Sequence, residues 1–296
     1  MSDQERLRRG LGLVRPYRVV SVVGPDARRF LHGVLSADVA ALPVGASTRT
    51  LLLEPRGKLV AHGWLLAIAD DRFALVVDEP VGVSTLEHLG RFCFRVDVEL
   101  ELGERPGVLW GPRARERAGV EPGAVVSRAD GLVADLAPPR SGGPPRVLVL
   151  GPLPDEVPAV DEEAFAAVRI EAGEPVAGVD VDTTTIPQEA ELVAGAVSFT
   201  KGCYLGQELV ARIDSRGHVN RLLRGIVVEA DGVPAVGAEV RRAGRRVGTL
   251  TSAARSDRLG AWIGLAVLRR ECEPGAEVEL AGEEQVLGRV AALPLS

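Results

Sequence analysis

Alternation of hydrophobic and polar residues is clearest along residues 94–102, where apolar and charged side chains exchange at each position. A period of two is typical of a half-buried antiparallel strand, so the pattern predicts one strand over this whole span. Apolar and β-branched runs separated by turn residues predict four earlier strands. These predicted strands cover residues 18–23, 48–53, 58–68 and 73–77.

Two helices are predicted among these strands. Apolar residues recur at a spacing of three and four over residues 27–35, and Asp26 is the predicted N-cap of that helix. Residues 80–91 predict a second helix. Its inward-facing residues are expected to be Val83, Leu86 and Leu89. The first hundred residues are therefore expected to fold as an α+β sheet unit.

Proline and glycine interrupt the middle of the chain, so only short elements are predicted there. Residues 108–110, 132–136 and 146–150 predict strands, and residues 111–118 predict a helix. Another helix is expected over residues 161–172, with Asp161 as its N-cap and Gly173 directly after its end.

The last quarter of the chain loses helical periodicity and contains six short β runs between Gly/Pro turns, which predicts a small β-barrel. These runs cover residues 222–228, 239–242, 247–252, 261–268, 277–280 and 286–290. We therefore expect three units: an N-terminal α+β unit over residues 1–103, a second α+β unit over 104–221 that is interleaved with the first, and a barrel over 222–296.

Composition excludes several classes of protein. The 296 residues are 46% hydrophobic with a net charge of −6, which argues against broad binding to nucleic acid or to a membrane surface. No apolar run approaches the ~20 residues of a membrane helix, and no leader pattern opens the chain, so we expect a cytoplasmic monomer. Three cysteines without paired spacing predict neither a disulfide framework nor a zinc cluster.

Candidate chemistry concentrates in residues 201–208, Lys-Gly-Cys-Tyr-Leu-Gly-Gln-Glu. The chain has only two lysines, two tyrosines and three cysteines, and one of each lies in this stretch. A segment with thiol, amine, phenol, amide and carboxylate groups is not expected in a hydrophobic core. Its glycines allow the backbone to approach a ligand closely. Cys203 is the leading candidate for a reactive thiol, with Lys201 beside it. Cys93 is expected to be a core filler and Cys272 an exposed, incidental thiol.

Two further features carry open alternatives. Glu171 is predicted in the last turn of the helix over 161–172, at the negative end of the helix dipole, where a carboxylate is unfavourable. It is a ligand acceptor, a solvated charge, or the partner of Arg169 in an ion pair. The stretch 211–224 carries Arg212, Arg216, Arg221 and Arg224, which either hold anions or form a solvated linker.

These segments together resemble the YgfZ-type folate-binding proteins, relatives of the glycine cleavage T-protein. Residues 201–208 match the signature K-G-C-Y-x-G-Q-E at every signature position, and residues 169–173 resemble the shared R-x-E-x-G segment. Residues 186–190, 248–252 and 24–31 give further support. The resemblance implies a three-domain cloverleaf around a central channel that binds tetrahydrofolate.

On this resemblance, Glu171 would meet the N–H groups of the pterin, and Arg212 would hold the glutamate carboxylates of the folate. Cys203 would lie near the pterin or at the channel mouth, with Lys201 influencing it and Tyr204 offering a stacking face. Gln207 and His62 are further cofactor-binding candidates.

One departure separates the chain from true T-proteins. T-proteins carry paired aspartates where residues 57–62 here place Ala61 and His62, so aminomethyl transfer is not expected unless His62 substitutes. The resemblance implies instead a tetrahydrofolate-binding protein that supports assembly or repair of iron–sulfur clusters, and thereby tRNA thiomethylation. The alternatives are a folate-dependent one-carbon transferase and, third, a protein that binds tRNA through its arginines.

Overall fold

The first five-stranded sheet is antiparallel, with strands in the order β3-β4-β5-β2-β6 in this computed structural model. The structure describes residues 1–138, 143–152, 157–228, 232–282 and 285–295, without the Arg216 side chain. The strands are β2 (Tyr17–Val23), β3 (Ser47–Leu53), β4 (Leu59–Ala69), β5 (Arg72–Asp78) and β6 (Glu99–Leu102). The four strands predicted before residue 78 are confirmed to within one or two residues.

The long alternating strand predicted over residues 94–102 is wrong in its first half. Strand β6 forms only at Glu99–Leu102, and Phe94 is 74% exposed. Arg95 has a left-handed backbone, with φ at 57°, which ends an extended run. Its guanidinium lies 5.1 Å from the centroid of the Phe94 ring, so the two side chains pack together outside the sheet.

Two helices accompany this sheet, α2 (Ala27–Val34) and α3 (Gly82–Gly90), with a short 3-10 turn at Glu79–Val81. Asp26 occupies the N-cap position of α2, but its carboxylate accepts a hydrogen bond from the backbone of Asp97 at 3.0 Å and not from the helix. The inward orientation predicted for Val83 is also wrong, because Val83 is 57% exposed while Thr85, His88 and Leu89 form the buried side of α3.

The second five-stranded sheet has the order β1-β7-β10-β9-β8. Its strands are β1 (Leu13–Val14), β7 (Gly107–Trp110), β8 (Val125–Arg128), β9 (Gly131–Leu136) and β10 (Arg146–Leu150). The accompanying helices are α1 (Asp3–Arg8), α4 (Ala114–Ala118) and α5 (Glu162–Glu171). Because β1 pairs with β7, residues 3–14 pack on the second sheet.

The N-cap predicted for α5 is confirmed. The Asp161 carboxylate accepts a hydrogen bond from the backbone of Ala164 at 2.6 Å, and Gly173 follows with a left-handed backbone. Helix α5 thus has a defined start and end, which fixes the side chains of its last turn.

The predicted barrel is confirmed as six strands that close in the order β11-β14-β13-β12-β15-β16. These are β11 (Arg221–Val228), β12 (Glu239–Arg242), β13 (Arg245–Ser256), β14 (Ala261–Arg269), β15 (Glu277–Ala281) and β16 (Val286–Ala291). Helix α6 (Gln207–Arg216) and a 3-10 turn (Pro187–Ala190) precede it.

The largest hydrophobic core crosses the unit boundaries. It joins the first sheet and α2 to Ile170 of α5, Tyr204 and Val210 near α6, and Leu223 and Ile263 of the barrel. The functional candidates therefore lie where the three units share packing. Within the described residues, no helix is both long and apolar enough to cross a lipid bilayer.

Candidate functional site

The stretch 201–206 lies on the first sheet, between the end of α2 and the turn that joins β3 to β4. The Leu205 amide donates to the Gly33 carbonyl at 3.1 Å. Gly206 has φ of +80°, and a Cβ built on it would lie 2.6 Å from the carbonyl oxygen of Glu54. Glycine is required there both for the left-handed backbone and for this close approach.

Lys201 holds the C-terminal end of α2. Its ammonium donates to the carbonyls of His32, Leu35 and Ala37 at 2.5, 2.7 and 2.9 Å. Burial lowers the pKa of Lys201 to about 8, against which the Asp38 charge acts to raise it. A lysine at this end of a helix satisfies the last carbonyls and complements the negative pole of the dipole.

Tyr204 and Gln207 hold the other side of the same stretch. Tyr204 is buried, its ring centroid lies 5.1 Å from the Lys201 ammonium, and burial raises its pKa to about 12. The Gln207 side-chain oxygen accepts from the Tyr204 amide at 3.2 Å. The structure therefore brings Lys201, Tyr204 and Gln207 together as supports of one loop.

Cys203 is the exposed member of the three cysteines. Cys93 is half-buried and Cys272 is buried, so the expectation that Cys272 is exposed is wrong, and burial raises the pKa of both thiols. Among the residues that the structure describes, no group of three His, Cys, Asp or Glu side chains could hold a metal ion. The signature loop thus presents one accessible thiol at its tip.

Glu171 lies at the end of α5, as predicted, and its carboxylate is buried. One oxygen accepts from Arg8 and Ser256, each at 2.6 Å, and the other accepts from Arg8 at 3.0 Å and Arg258 at 3.2 Å. Burial alone would raise the pKa of Glu171, but the hydrogen bonds and charges of these partners outweigh it and lower the pKa. Two guanidinium groups thus compensate the unfavourable helix-end position.

Arg169, two residues earlier on α5, also joins the helix to the barrel. It donates to Asp180 at 2.8 Å and to the Ser252 hydroxyl at 2.6 Å. Ser252 in turn donates to Asp180 at 2.6 Å. The R-x-E-x-G segment therefore docks α5 on strand β13 through two neighbouring polar clusters, and the ion pair of Glu171 with Arg169 considered from the sequence is replaced by these partners.

His62 faces Asp78 in the interior of the first sheet. His62 Nε2 lies 3.3 Å from Asp78 Oδ2, but without hydrogen-bond geometry, and Nε2 has no hydrogen-bond partner among the described residues. Burial lowers the pKa of His62 to about 4, and burial raises the pKa of Asp78 to about 7 although the Ala177 amide opposes it. Near pH 6 both side chains are therefore uncharged.

The pair lines a small cavity of about 10 Å³. The cavity wall also includes Tyr17, Trp64, Phe165, Arg169, Glu174, Pro175 and Val176. Next to it, the buried Arg146 guanidinium donates to Glu174 at 2.7 and 2.5 Å and lies 4.0 Å from the centroid of the Trp110 ring. This volume holds about one water molecule.

The fit of a pterin to this cavity is partial. An unpartnered imidazole nitrogen, a neutral carboxyl group and aromatic walls match the hydrogen-bonding edge and the flat faces of such a ring. The volume does not match, because a pterin is far larger than one water molecule. A ligand of that size would fit only if the residues that line the cavity moved apart.

The arginines of residues 211–224 do not act as one group. Arg212 is 68% exposed and pairs with Glu208 on its own helix at 2.6 Å. Arg221 pairs with the buried Glu189 at 3.0 Å, and Arg224 lies 3.9 Å from Glu191. The side chain of Arg216 lies outside the described residues.

Sequence reasoning missed several buried polar residues at this site. Asp78 directly follows the apolar strand predicted at 73–77, and Arg146 opens the apolar strand at 146–150. The available signal was a charged residue next to an apolar strand, but this signal does not predict which residue the charge contacts. Arg8 and Glu171 are 163 positions apart, so local patterns carry no trace of their contact.

Comparisons with known proteins agree with this architecture. The GCVT N-terminal domain model matches residues 4–118, and the glycine cleavage T-protein C-terminal barrel domain model matches residues 221–295. The chain belongs to the YgfZ/GcvT family. Over 297 residues it is 26% identical to the tRNA-modifying protein YgfZ of Hamiltonella defensa, covering 92% of this chain and 87% of that relative.

Two further similar proteins agree with this architecture. An uncharacterized protein of Haemophilus influenzae is 29% identical over 290 residues, 95% of this chain and 96% of that protein. The crystal structure of glycine cleavage system aminomethyltransferase T from Bartonella henselae superposes with a TM-score of 0.83 at 21% identity, over 99% of this chain and 88% of that chain. This structural likeness concerns the fold.

Proposed function

We propose that this member of the YgfZ/GcvT family supports tRNA modification by helping to assemble or repair iron–sulfur clusters, with Cys203 as its working thiol. One observation carries the proposal. Lys201, Tyr204 and Gln207 are used to fix the loop, and Cys203 is the exposed cysteine at its tip, whereas Cys93 is half-buried and Cys272 is buried. Relatives over most of the chain are named tRNA-modifying proteins, which supports the same reading.

A thiol on a rigid loop suits this role chemically. Thiolates are the usual protein ligands of iron–sulfur clusters and are nucleophiles towards sulfur species. One accessible cysteine is too few to hold a cluster, which commonly takes four cysteine ligands. Cys203 would therefore act together with a group that a client protein supplies, and its replacement should abolish rescue of a strain that lacks this gene.

We further propose that the ligand is tetrahydrofolate or a derivative of it. The fold and the neutral polar pair His62–Asp78 support this choice, because that pair offers both an acceptor and a donor to a heterocyclic edge. Glu171, Tyr204, Gln207 and Arg212 remain candidates for contacts to the pterin and to the glutamate tail. When bound, the folate would supply the chemistry of one-carbon transfer. The residues of this chain would bind and orient its ring.

Calorimetric titration with tetrahydrofolate, under reducing and anaerobic conditions, tests this part of the proposal. Wild-type protein is expected to bind, and Asp78→Asn and Glu171→Ala are expected to bind more weakly. Arg113→Gln, an exposed position on the second unit, is the matched control. Equal affinity of all four proteins, or no heat of binding for the wild type, would contradict it.

Folate-dependent one-carbon transfer is the second candidate function. It is favoured by Asp78, which brings a carboxyl group within 3.3 Å of His62, the residue that stands where T-proteins carry an aspartate. This candidate predicts turnover of a methylamine-bearing substrate in the presence of tetrahydrofolate. Absence of turnover across a panel of such substrates would leave the first proposal in place.

A further inference from the structure

Three Arg-Arg pairs lie on the barrel, outside the site described so far. We call their six residues the rim arginines: Arg241, Arg242, Arg245, Arg246, Arg269 and Arg270. All six are exposed. Arginine is common in this chain, so the informative property is where the fold places these residues.

Strand topology gathers the rim arginines at one edge of the barrel. Strand β12 ends at Arg242, β13 begins at Arg245 and β14 ends at Arg269. These strands are neighbours in the order β14-β13-β12 and run antiparallel, so the end of one lies beside the start of the next. The start of β11 joins the same edge, because Arg221 pairs in register with Arg269.

The register places like charges directly opposite one another. Arg241 is the cross-strand partner of Arg246, and Arg242 is the partner of Arg245. Like charges at directly opposed positions destabilise an antiparallel pair. A local cost of this kind, repeated in one hairpin, is relieved when an anion binds between the strands.

Carboxylates of the protein neutralise only part of this charge. Glu239 lies 2.8 Å from Arg241 and 3.5 Å from Arg246, and Glu271 lies 4.0 Å from Arg269. In the part of the chain that the structure describes, neither Arg245 nor Arg270 has a carboxylate within ion-pair distance. The rim is therefore locally basic on a chain whose net charge is −6.

A polar groove runs beside the rim. It consists of two cavities of about 740 and 420 Å³ that share Arg221 and Arg269 in their walls. The larger one is also lined by Arg270, His218 and Asn220, and the smaller one by Arg246. Carboxylates line the groove as well, Glu189, Glu271 and Glu273 in the larger cavity and Asp180 and Asp182 in the smaller one. Glu189 is paired with Arg221, Asp180 with Arg169, and Glu271 lies 4.0 Å from Arg269, so these three charges are compensated.

We propose that the rim arginines and this groove bind the phosphate backbone of an RNA strand. Guanidinium groups bind phosphates through two parallel hydrogen bonds, and the exposed side chains of His218 and Asn220, which line the groove, can hydrogen-bond to sugars or bases. A concave polar groove suits a strand better than a flat bilayer. The barrel's large exposed apolar residues, Val233, Val236 and Leu287, lie before β12 or at the start of β16, at the other end.

Binding of fluorescein-labelled tRNA to the full chain, followed by anisotropy over a salt series, tests the proposal. The triple variant Arg245→Gln, Arg246→Gln, Arg270→Gln should bind about tenfold more weakly or worse at low salt. The slope of log K against log salt should become shallower by about two to three, since each lost phosphate contact removes about one. The control triple variant Arg72→Gln, Arg91→Gln, Arg113→Gln removes the same charge from exposed positions elsewhere.

Three results would overturn the proposal: equal weakening in both triple variants, affinity that does not depend on salt, or rim-dependent binding to anionic lipid vesicles without binding to tRNA. Thermal melting of each variant shows whether it is folded. Cys203→Ser should bind tRNA as the wild type does. The rim and the thiol are thus tested separately, so the failure of one proposal is distinguishable from the failure of the other.

Discussion

His62 Nε2 and Asp78 Oδ2 lie 3.3 Å apart inside the first sheet, one on β4 and the other at the end of β5. Burial shifts the two groups in opposite directions, to a pKa of about 4 for His62 and about 7 for Asp78. Each shift favours the uncharged form. The pair therefore keeps two polar groups in the interior at mildly acidic pH without a net buried charge.

This arrangement predicts opposite pH profiles for two variants. The contribution of Asp78 to the free energy of unfolding is complete at low pH and is lost as the pH rises through the raised pKa of about 7. Stability from His62 is present above its ordinary pKa of 6.5 and is lost as pH falls towards about 4. In the wild type the two dependences oppose each other between these limits.

As the pH increases from 4 to 6.5, the free energy of unfolding of Asp78→Asn should rise relative to that of the wild type, because only the pH dependence that comes from His62 remains. That of His62→Gln should fall over the same range. The slopes are at most about 1.4 kcal/mol per pH unit. Urea unfolding at several pH values measures both, and profiles parallel to the wild type for both variants would contradict the assignment.

The ammonium of Lys201 should matter for stability. Lys201→Met leaves the carbonyls of His32, Leu35 and Ala37 without their donor, so we expect the free energy of unfolding to fall by about 2–3 kcal/mol. The only other lysine, Lys58, donates to one carbonyl, that of Thr184. Lys58→Met is therefore the control, with an expected loss below about 1 kcal/mol; similar losses in both variants would argue against a special role for Lys201.

The two glycines of the signature should differ. Gly206→Ala places a methyl group 2.6 Å from a backbone oxygen at a φ of +80°, which should cost about 2 kcal/mol or more. A Cβ at Gly202 meets no atom within 4 Å, so the free energy of unfolding of Gly202→Ala should lie within about 0.5 kcal/mol of the wild-type value. Thermal or urea unfolding of the two variants measures this difference. Equal destabilisation would contradict the specific requirement for glycine at position 206.

The buried pair Arg146–Glu174 should be strongly coupled. Glu174→Met leaves an unpaired, fully buried guanidinium and is expected to cost about 3–5 kcal/mol. The double variant Arg146→Met, Glu174→Met removes both charges and should recover much of this loss. A double-mutant cycle with urea unfolding measures the coupling, and additive losses would contradict it.

The barrel illustrates what local pattern can predict. Its strands alternate apolar and polar residues between Gly/Pro turns, so all six runs are visible without knowledge of their partners. Residues 94–98 show the opposite case, because the alternation there is as clear as in any strand. The left-handed backbone at Arg95 and the contact of Asp26 with Asp97 decide the outcome, and both depend on tertiary packing.

The site divides in the same way. The unusual residue types of residues 201–208 identify a special loop, but they do not tell which way each side chain points. Lys201 points to the end of α2, and Tyr204 into the core, so two of the conspicuous residues support the third, Cys203. Glu171 was found through its helix-end position, whereas its partners Arg8 and Arg258 come from distant segments that only the fold brings together.

The role of Cys203 is the central claim, and genetic rescue tests it most directly. A strain that lacks this gene is complemented with wild-type, Cys203→Ser or Cys93→Ser protein at matched levels, and thiomethylated tRNA nucleosides and an iron–sulfur enzyme activity are measured. Wild type and Cys93→Ser should restore both readouts, while Cys203→Ser, although folded, should restore neither. Full restoration of both readouts by Cys203→Ser would contradict the account.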